Sequence, residues 1–230
     1  LPKETAYAGV GIYGAVYKIS IFLILFNQAF RYAAEPFFFK NAKTKDGPER
    51  MSTVMNGFAW VMCVGFVLII SGLDYLKYFV DEKFWTGLQL VPILLLANVI
   101  LGINTNLNVW YKVSDKTVYG IYITFVGLVI TVVGNVILIP VLGILGAAFT
   151  TLAAYFAMFI ASALWGSKHY PVPYRWKKIG AFVGFACLVV FILHYTNWPP
   201  GPFRVLGGII YLGIMLFWER NGLLKFATRK

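Results

Sequence analysis

Residues 135–158, NVILIPVLGILGAAFTTLAAYFAM, decide the fold. They form two apolar helical runs joined at Ile139-Pro140-Val141-Leu142-Gly143, a join without charge and too short to link domains. Proline fixes φ and lacks the donor for the next helical hydrogen bond, and glycine three residues on permits the chain to reverse. The stretch reads as a hairpin that turns at a bilayer surface and re-enters. Its second run repeats small residues four apart, Gly146-Thr150 and Ala153-Ala157-Ala161, a spacing that brings helix backbones together in lipid.

The rest of the chain agrees with that hairpin. Of 230 residues 60% are hydrophobic and 13% charged, and the mean hydropathy is +0.74. This is the composition of an all-α polytopic membrane protein, since a span needs roughly 20 mainly apolar residues. Seven spans are expected, at 7–34, 51–73, 87–109, 118–139, 144–165, 179–195 and 203–218, in one helical bundle that leaves no room for a globular domain. The connections are short, so successive helices are expected to be antiparallel neighbours. The join at 196–202, TNWPPGP, is too rigid to continue a helix.

The net charge of +11 does not point to nucleic acid, because the basic residues sit in short loops between apolar runs. Loops 40–50, 112–116 and 168–178 and the tail 220–230 hold 14 Lys and Arg, against 4 at Lys3, Lys77, Lys83 and Arg204. The richer side is expected to be cytoplasmic, with Leu1 outside and Lys230 inside. Residues 1–4, LPKE, contain neither an initiator Met nor a signal peptide, so the chain is expected to be the later part of a longer one. Cys63 and Cys187 lie in apolar runs without a CxxC or a Cys/His cluster and read as packed or lipid-facing small hydrophobes.

Lys18 is the first candidate for chemistry. Eleven residues after Tyr7, about 16 Å along a helix, it is expected near mid-membrane. An intramembrane cation faces a protein or water-filled interior by default, where it can meet an anionic substrate. Three other readings stay open: the span begins later, the amine snorkels, or it pairs with a carboxylate elsewhere. Asn27, Arg31 and Glu35 recur every four residues on one face, and a local Arg31–Glu35 pair at the interface is expected. Lys18 and Arg31 are about 220° apart on an ideal helix, so one site using both needs a kink or a rotation.

Gly120, Thr124, Gly127, Thr131 and Asn135 step by three or four along the fourth span, a stripe that either packs helices or lines a cavity, with packing the commoner use. On the third span Asn98, Gly102 and Thr105 share a strip, with Asn104 and Asn108 on another face, and at least one of these asparagines should point inward or lie near the interface. Catalysis has little support. His169 stands in a basic loop and His194 near the outer boundary, and no HExxH, GxSxG or intramembrane carboxylate pair occurs. The segment GVGIYG at 9–14 lacks the strand and the Lys-Ser/Thr of a phosphate loop, so no ATP hydrolysis, no cofactor and no metal are expected.

Several segments together resemble one family. YAGVGIYGAVYK at 7–18 is similar to the "vGiYsaayK" helix of polysaccharide-biosynthesis transporters; VPILLLAN at 91–98 and KTVYG at 116–120 also match, and 135–151 is similar to "NliLIPxyGixGAAxaT". The chain thus resembles Wzx-type O-antigen and lipid-linked oligosaccharide flippases of the multidrug/oligosaccharidyl-lipid/polysaccharide exporter superfamily. The resemblance covers most of residues 7–165. It implies the second bundle of a 12–14 helix alternating-access transporter of the bacterial cytoplasmic membrane, without enzymatic activity. The implied substrate is a polyprenyl-pyrophosphate-linked oligosaccharide, and the implied partners are membrane lipids, a coupling ion and other polysaccharide-assembly proteins. Lys18 with Arg31 would hold the pyrophosphate, and Asn27, Gln28, Asn98 and Asn104 would meet sugar hydroxyls. A cation-coupled multidrug exporter of the same superfamily, or a membrane glycosyltransferase or polymerase on lipid-linked sugars, are the rivals. The first is expected to carry a membrane-embedded acid, and the second acidic or arginine-rich loops outside the membrane.

Overall fold

The structure, a computed structural model, describes the backbone of residues 3–196 and 198–227 and the side chains of residues 7–196 and 198–220. The ends named for the orientation, Leu1 and Lys230, lie outside the described residues, as does Asn197 of the 196–202 join. Among the described residues there is no strand. The helices are α1 (Lys3–Tyr17), α2 (Ile21–Asn41), α3 (Gly47–Ser71), α4 (Leu73–Leu76), α5 (Val91–Leu107), α6 (Val109–Val113), α7 (Val118–Leu142), α8 (Ile144–His169), α9 (Trp176–Tyr195) and α10 (Pro202–Ala227). Three 3-10 turns, Lys18–Ser20, Lys77–Phe79 and Glu82–Leu90, join some of them. Seven helical segments are long and apolar enough to cross a bilayer, so the chain is an all-α, multi-pass membrane protein. Helices suit that solvent because they satisfy their own backbone donors and acceptors.

The helices outrun the apolar runs where polar residues carry on the helical hydrogen bonding. The first rod continues through Pro36 to Asn41, whose side chain then accepts from Arg50 Nη1 at 3.0 Å and closes the basic loop. The next helix already begins at Gly47, with Pro48 in its first turn, where a missing N–H costs nothing.

The centre is α3 and α5, held by ring and glycine contacts. Phe58 of α3 packs on Phe26 and Phe30 of α2, with centroids 6.0 and 4.5 Å apart. Gly102 of α5 lies so close to Phe58 and Met62 that a Cβ there would stand 3.0 Å from both. On the far side of α3, Trp60 donates to Met215 O of α10 at 3.1 Å, and Lys178 of α9 pairs with Glu219 of α10.

Two expectations about connections are corrected. The α7–α8 reversal is made at Gly143 alone, with φ 58° and ψ −134°, a backbone open to glycine and strained for other residues. Pro140 is not part of the turn but sits in the last turn of α7. Successive helices are also not always neighbours: α7 and α8 pack together, but α9 packs on α3, and α8 on α5. Each finds more apolar surface at the core than on the other, and the extended segment 170–175 spans the gap between them.

The glycine stripe of α7 serves packing. A Cβ on Gly127 would lie 2.5 Å from Met158 Sδ and one on Gly134 2.7 Å from Thr150 Cγ2, both on α8. Thr124 and Thr131 bond the carbonyls of Gly120 and Gly127 in their own helix. Of the α8 small residues, Gly146 and Thr150 are buried, whereas Ala153 is exposed and Ala157 and Ala161 half-buried.

Candidate functional site

The first rod is where the polar candidates gather, and its helix breaks at one of them. Lys18 opens the 3-10 turn Lys18–Ser20 between α1 and α2. A short 3-10 piece inside a longer helix marks a hinge or a strained sequence. It also changes the register. Three residues at 120° instead of 100° add about 60°, so Lys18 and Arg31 stand about 80° apart where an ideal helix would leave about 140°. The rotation that one shared face requires is thus present in the backbone.

Lys18 is level with one end of α3. Leu23 packs on Gly65 of α3, a Cβ there lying 2.9 Å from Leu23 Cδ2. Lys18 is five residues before Leu23, about 9 Å along the rod, and Ser71, the last residue of α3, is about 9 Å from Gly65 in the same direction. Lys18 therefore lies level with the end of α3, on the side away from the basic loops. The rod of 35 residues exceeds a bilayer's thickness, and its first turns pack beyond α3 against the 3-10 turn Glu82–Leu90: a Cβ on Gly87 would meet Ile12 at 2.4 Å.

Lys18, Gln28 and Arg31 are exposed, and Asn27 is half-buried. Gln28 and Asn27 lie level with the middle of α3, and Asn27 Oδ1 is buried without a hydrogen-bond partner among the described residues. Among those residues neither Lys18 nor Arg31 forms an ion pair. The Arg31–Glu35 pair is corrected: Glu35 accepts from Lys112 Nζ at 2.7 Å, and the Arg31 guanidinium lies 5.1 Å from the Tyr32 ring. Lys112 comes from α6, 77 positions away, and wins because it reaches Glu35 from a packed neighbour.

Asn98 and Asn104 lie elsewhere. Both are buried in the core on α5. Asn98 Nδ2 donates to Leu94 O of its own helix at 2.8 Å, and Asn104 Oδ1 has no partner among the described residues. The structure brings Lys18, Asn27, Gln28 and Arg31 onto one rod and leaves these two asparagines enclosed.

The described carboxylates stay at the ends of the spans. Asp74 accepts from Arg204 Nη1 and the Gly201 N–H, each at 2.8 Å, and so ties α4, just past the end of α3, to the start of α10. Asp81 caps the 3-10 turn Glu82–Leu90; the Lys83 backbone N–H, then its side chain, hold this exposed carboxyl below the usual carboxylate range.

A polar cluster at the basic end went unread in the sequence. Trp110 Nε1 donates to Ser162 Oγ at 3.2 Å, and Ser162 Oγ donates to Asn108 Oδ1 at 2.6 Å. His169 closes α8 instead of standing in the loop; its Nε2 meets Tyr119 OH at 3.0 Å and its ring stacks on Trp110. Partners some 50 positions apart leave no local signal; the one hint was Asn108, among the several asparagines of the third span. The cluster clamps α6, α7 and α8 and exposes no reactive group. Comparison with protein-family models, with curated proteins and with solved structures finds no match for the chain.

Proposed function

We propose that the chain is the second helical bundle of an alternating-access transporter that flips a polyprenyl-pyrophosphate-linked oligosaccharide across the bacterial cytoplasmic membrane, without a covalent intermediate. The observation that carries this reading is the exposed amine of Lys18 at the broken point of the first rod, unpaired among the described residues. Transporters place substrate groups at interruptions of their spanning helices, and a lysine is a point-charge donor for phosphate. Lys18 level with the outer end of α3 suits capture of the pyrophosphate on its way to the outer leaflet. Arg31 lies about 20 Å along the rod toward the basic side and would receive the same group at the start of the passage. Gln28 and Asn27 between them offer amides to sugar hydroxyls.

The multidrug-exporter reading gains nothing from the described carboxylates, which sit at span ends. The test is Lys18→Ala in the full protein, with surface polysaccharide and membrane insertion both measured. Loss of surface polysaccharide with normal insertion is expected, and Lys18→Arg should retain part of it. Normal polysaccharide in Lys18→Ala would sink the assignment.

A further inference from the structure

Because α8 packs inward on α5 and α9 inward on α3, an apolar groove of about 440 Å³ stays open between them. Ile100 forms its floor, Phe156 and Phe159 one wall, and Trp176, Gly180 and Val183 the other. A volume of this size falls in the range of small-molecule sites. The groove lies at the start of α9, directly beside the basic segment 168–178. The exposed Arg175 and Lys177 flank Trp176 in sequence, and the exposed Lys168 lies in the last turn of α8. Among the described residues none of these three forms an ion pair, and Glu219 is taken by Lys178.

The basic segment is also fixed in place. Ser52 Oγ donates to Pro173 O at 2.7 Å, and Tyr170 OH donates to Ala42 O at 2.9 Å, which holds the extended segment onto α3 and the end of α2. Trp176 sits edge-on to Phe159 at 5.7 Å in the first turn of α9, and an indole at the end of a span is suited to bridging acyl chains and headgroups. A slot for an apolar chain below a fixed cluster of cations has the shape and charge of one anionic lipid.

We propose that the α8–α9 groove binds an anionic phospholipid of the leaflet on the basic side, one acyl chain in the slot and the phosphate on Arg175 and Lys177. Basic pockets between spanning helices on the cytoplasmic side are suited to such headgroups. The site is independent of the transport reading, since none of its residues is on the first rod.

The test uses the full protein in lipid nanodiscs, with phosphatidylglycerol and phosphatidylcholine competing for retention in native mass spectrometry. Phosphatidylglycerol should be retained at least about tenfold more tightly. Arg175→Gln with Lys177→Gln should cut that preference by roughly fivefold per charge removed, leaving phosphatidylcholine unchanged. Nothing stands within 4 Å of a Cβ built on Gly180, so Gly180→Phe can fill the slot without straining the bundle. It should abolish retention at an unchanged thermal midpoint. Equal retention of the two lipids, an unaffected Gly180→Phe variant, or tighter retention of a polyprenyl phosphate than of phosphatidylglycerol would each overturn the proposal.

Discussion

Two of the spans that the other helices cover little, α7 and the first rod, differ in chemistry. In α7 the most apolar 18-residue window is 6% buried and has a mean hydropathy of 2.6; in the first rod the values are 22% and 1.8. The exposed face of α7 is Val, Ile, Leu and Phe, and its threonines spend their hydroxyls on their own helix. The exposed face of the rod carries Lys18, Gln28 and Arg31 among its apolar residues. Lipid accepts the first surface and not the second, because an unpaired polar group in hydrocarbon costs several kcal/mol. Exposure within one bundle is therefore of two kinds: the face of α7 suits lipid, and that of the rod is the one on which the proposed substrate contacts rest. Four of the five buried asparagines among the described residues lie on α5 and α3, the spans with most of their surface inside, and the fifth, Asn41, closes the end of α2.

A charge placed on each face separates these environments most sharply. Val132 and Leu25 are similarly exposed, at 54% and 56%, and both lie well inside their spans. Val132→Lys should destabilise the membrane-embedded protein by about 2.5–3.5 kcal/mol, the insertion cost of a central cation. Leu25→Lys, between Lys18 and Gln28, should cost less than about 1 kcal/mol if its face is wet or partnered. Unfolding in bicelles measures both. Equal penalties would make the rod another lipid-facing helix and remove the basis for a site at Lys18.

The next effect concerns how α7 is held, given that it has one major neighbour. A Cβ on Gly146 would stand 2.5 Å from Leu138 O, a backbone atom that cannot rotate away, whereas the obstacle at Gly127 is the flexible Met158 side chain. Gly146→Ala should cost about 2 kcal/mol and Gly127→Ala under about 1 kcal/mol in the same assay. If both are neutral, α7 is held by lipid and the connection rather than by contact with α8.

Hydropathy alone made the seven spans legible, because a bilayer demands long apolar helices whatever the tertiary contacts. The Gly143 reversal and the packing use of the α7 stripe were also readable, since both rest on local spacing. The level of Lys18 against α3 was not: α1 runs past the end of α3, and that offset belongs to the packing of Leu23 on Gly65 and of Gly87 on Ile12. Nor could spacing reveal that α8 and α9 turn away from each other, which depends on what each finds at the core. The asparagines of α5 illustrate the same limit. Their number signalled something unusual, but only the neighbours of α5 place Asn98 and Asn104 inside the bundle.

The smallest effect bears on Arg31 and Glu35, which share a helix face and part company in the fold. Glu35 and Lys112 are each about one-third exposed and 2.7 Å apart, so the pair joins α2 to α6 under partial solvent screening. Glu35→Gln should lower stability by about 0.5 kcal/mol, with less effect at high salt. Arg31→Gln removes a cation that holds no carboxylate among the described residues, so its stability should be unchanged within about 0.3 kcal/mol. Surface polysaccharide should respond in the opposite order, falling in Arg31→Gln and persisting in Glu35→Gln. That crossing is the point of the experiment, because a purely structural rod would let both readouts follow the ion pair. A loss of polysaccharide in Glu35→Gln alone would move the functional weight from the exposed face to the α2–α6 contact.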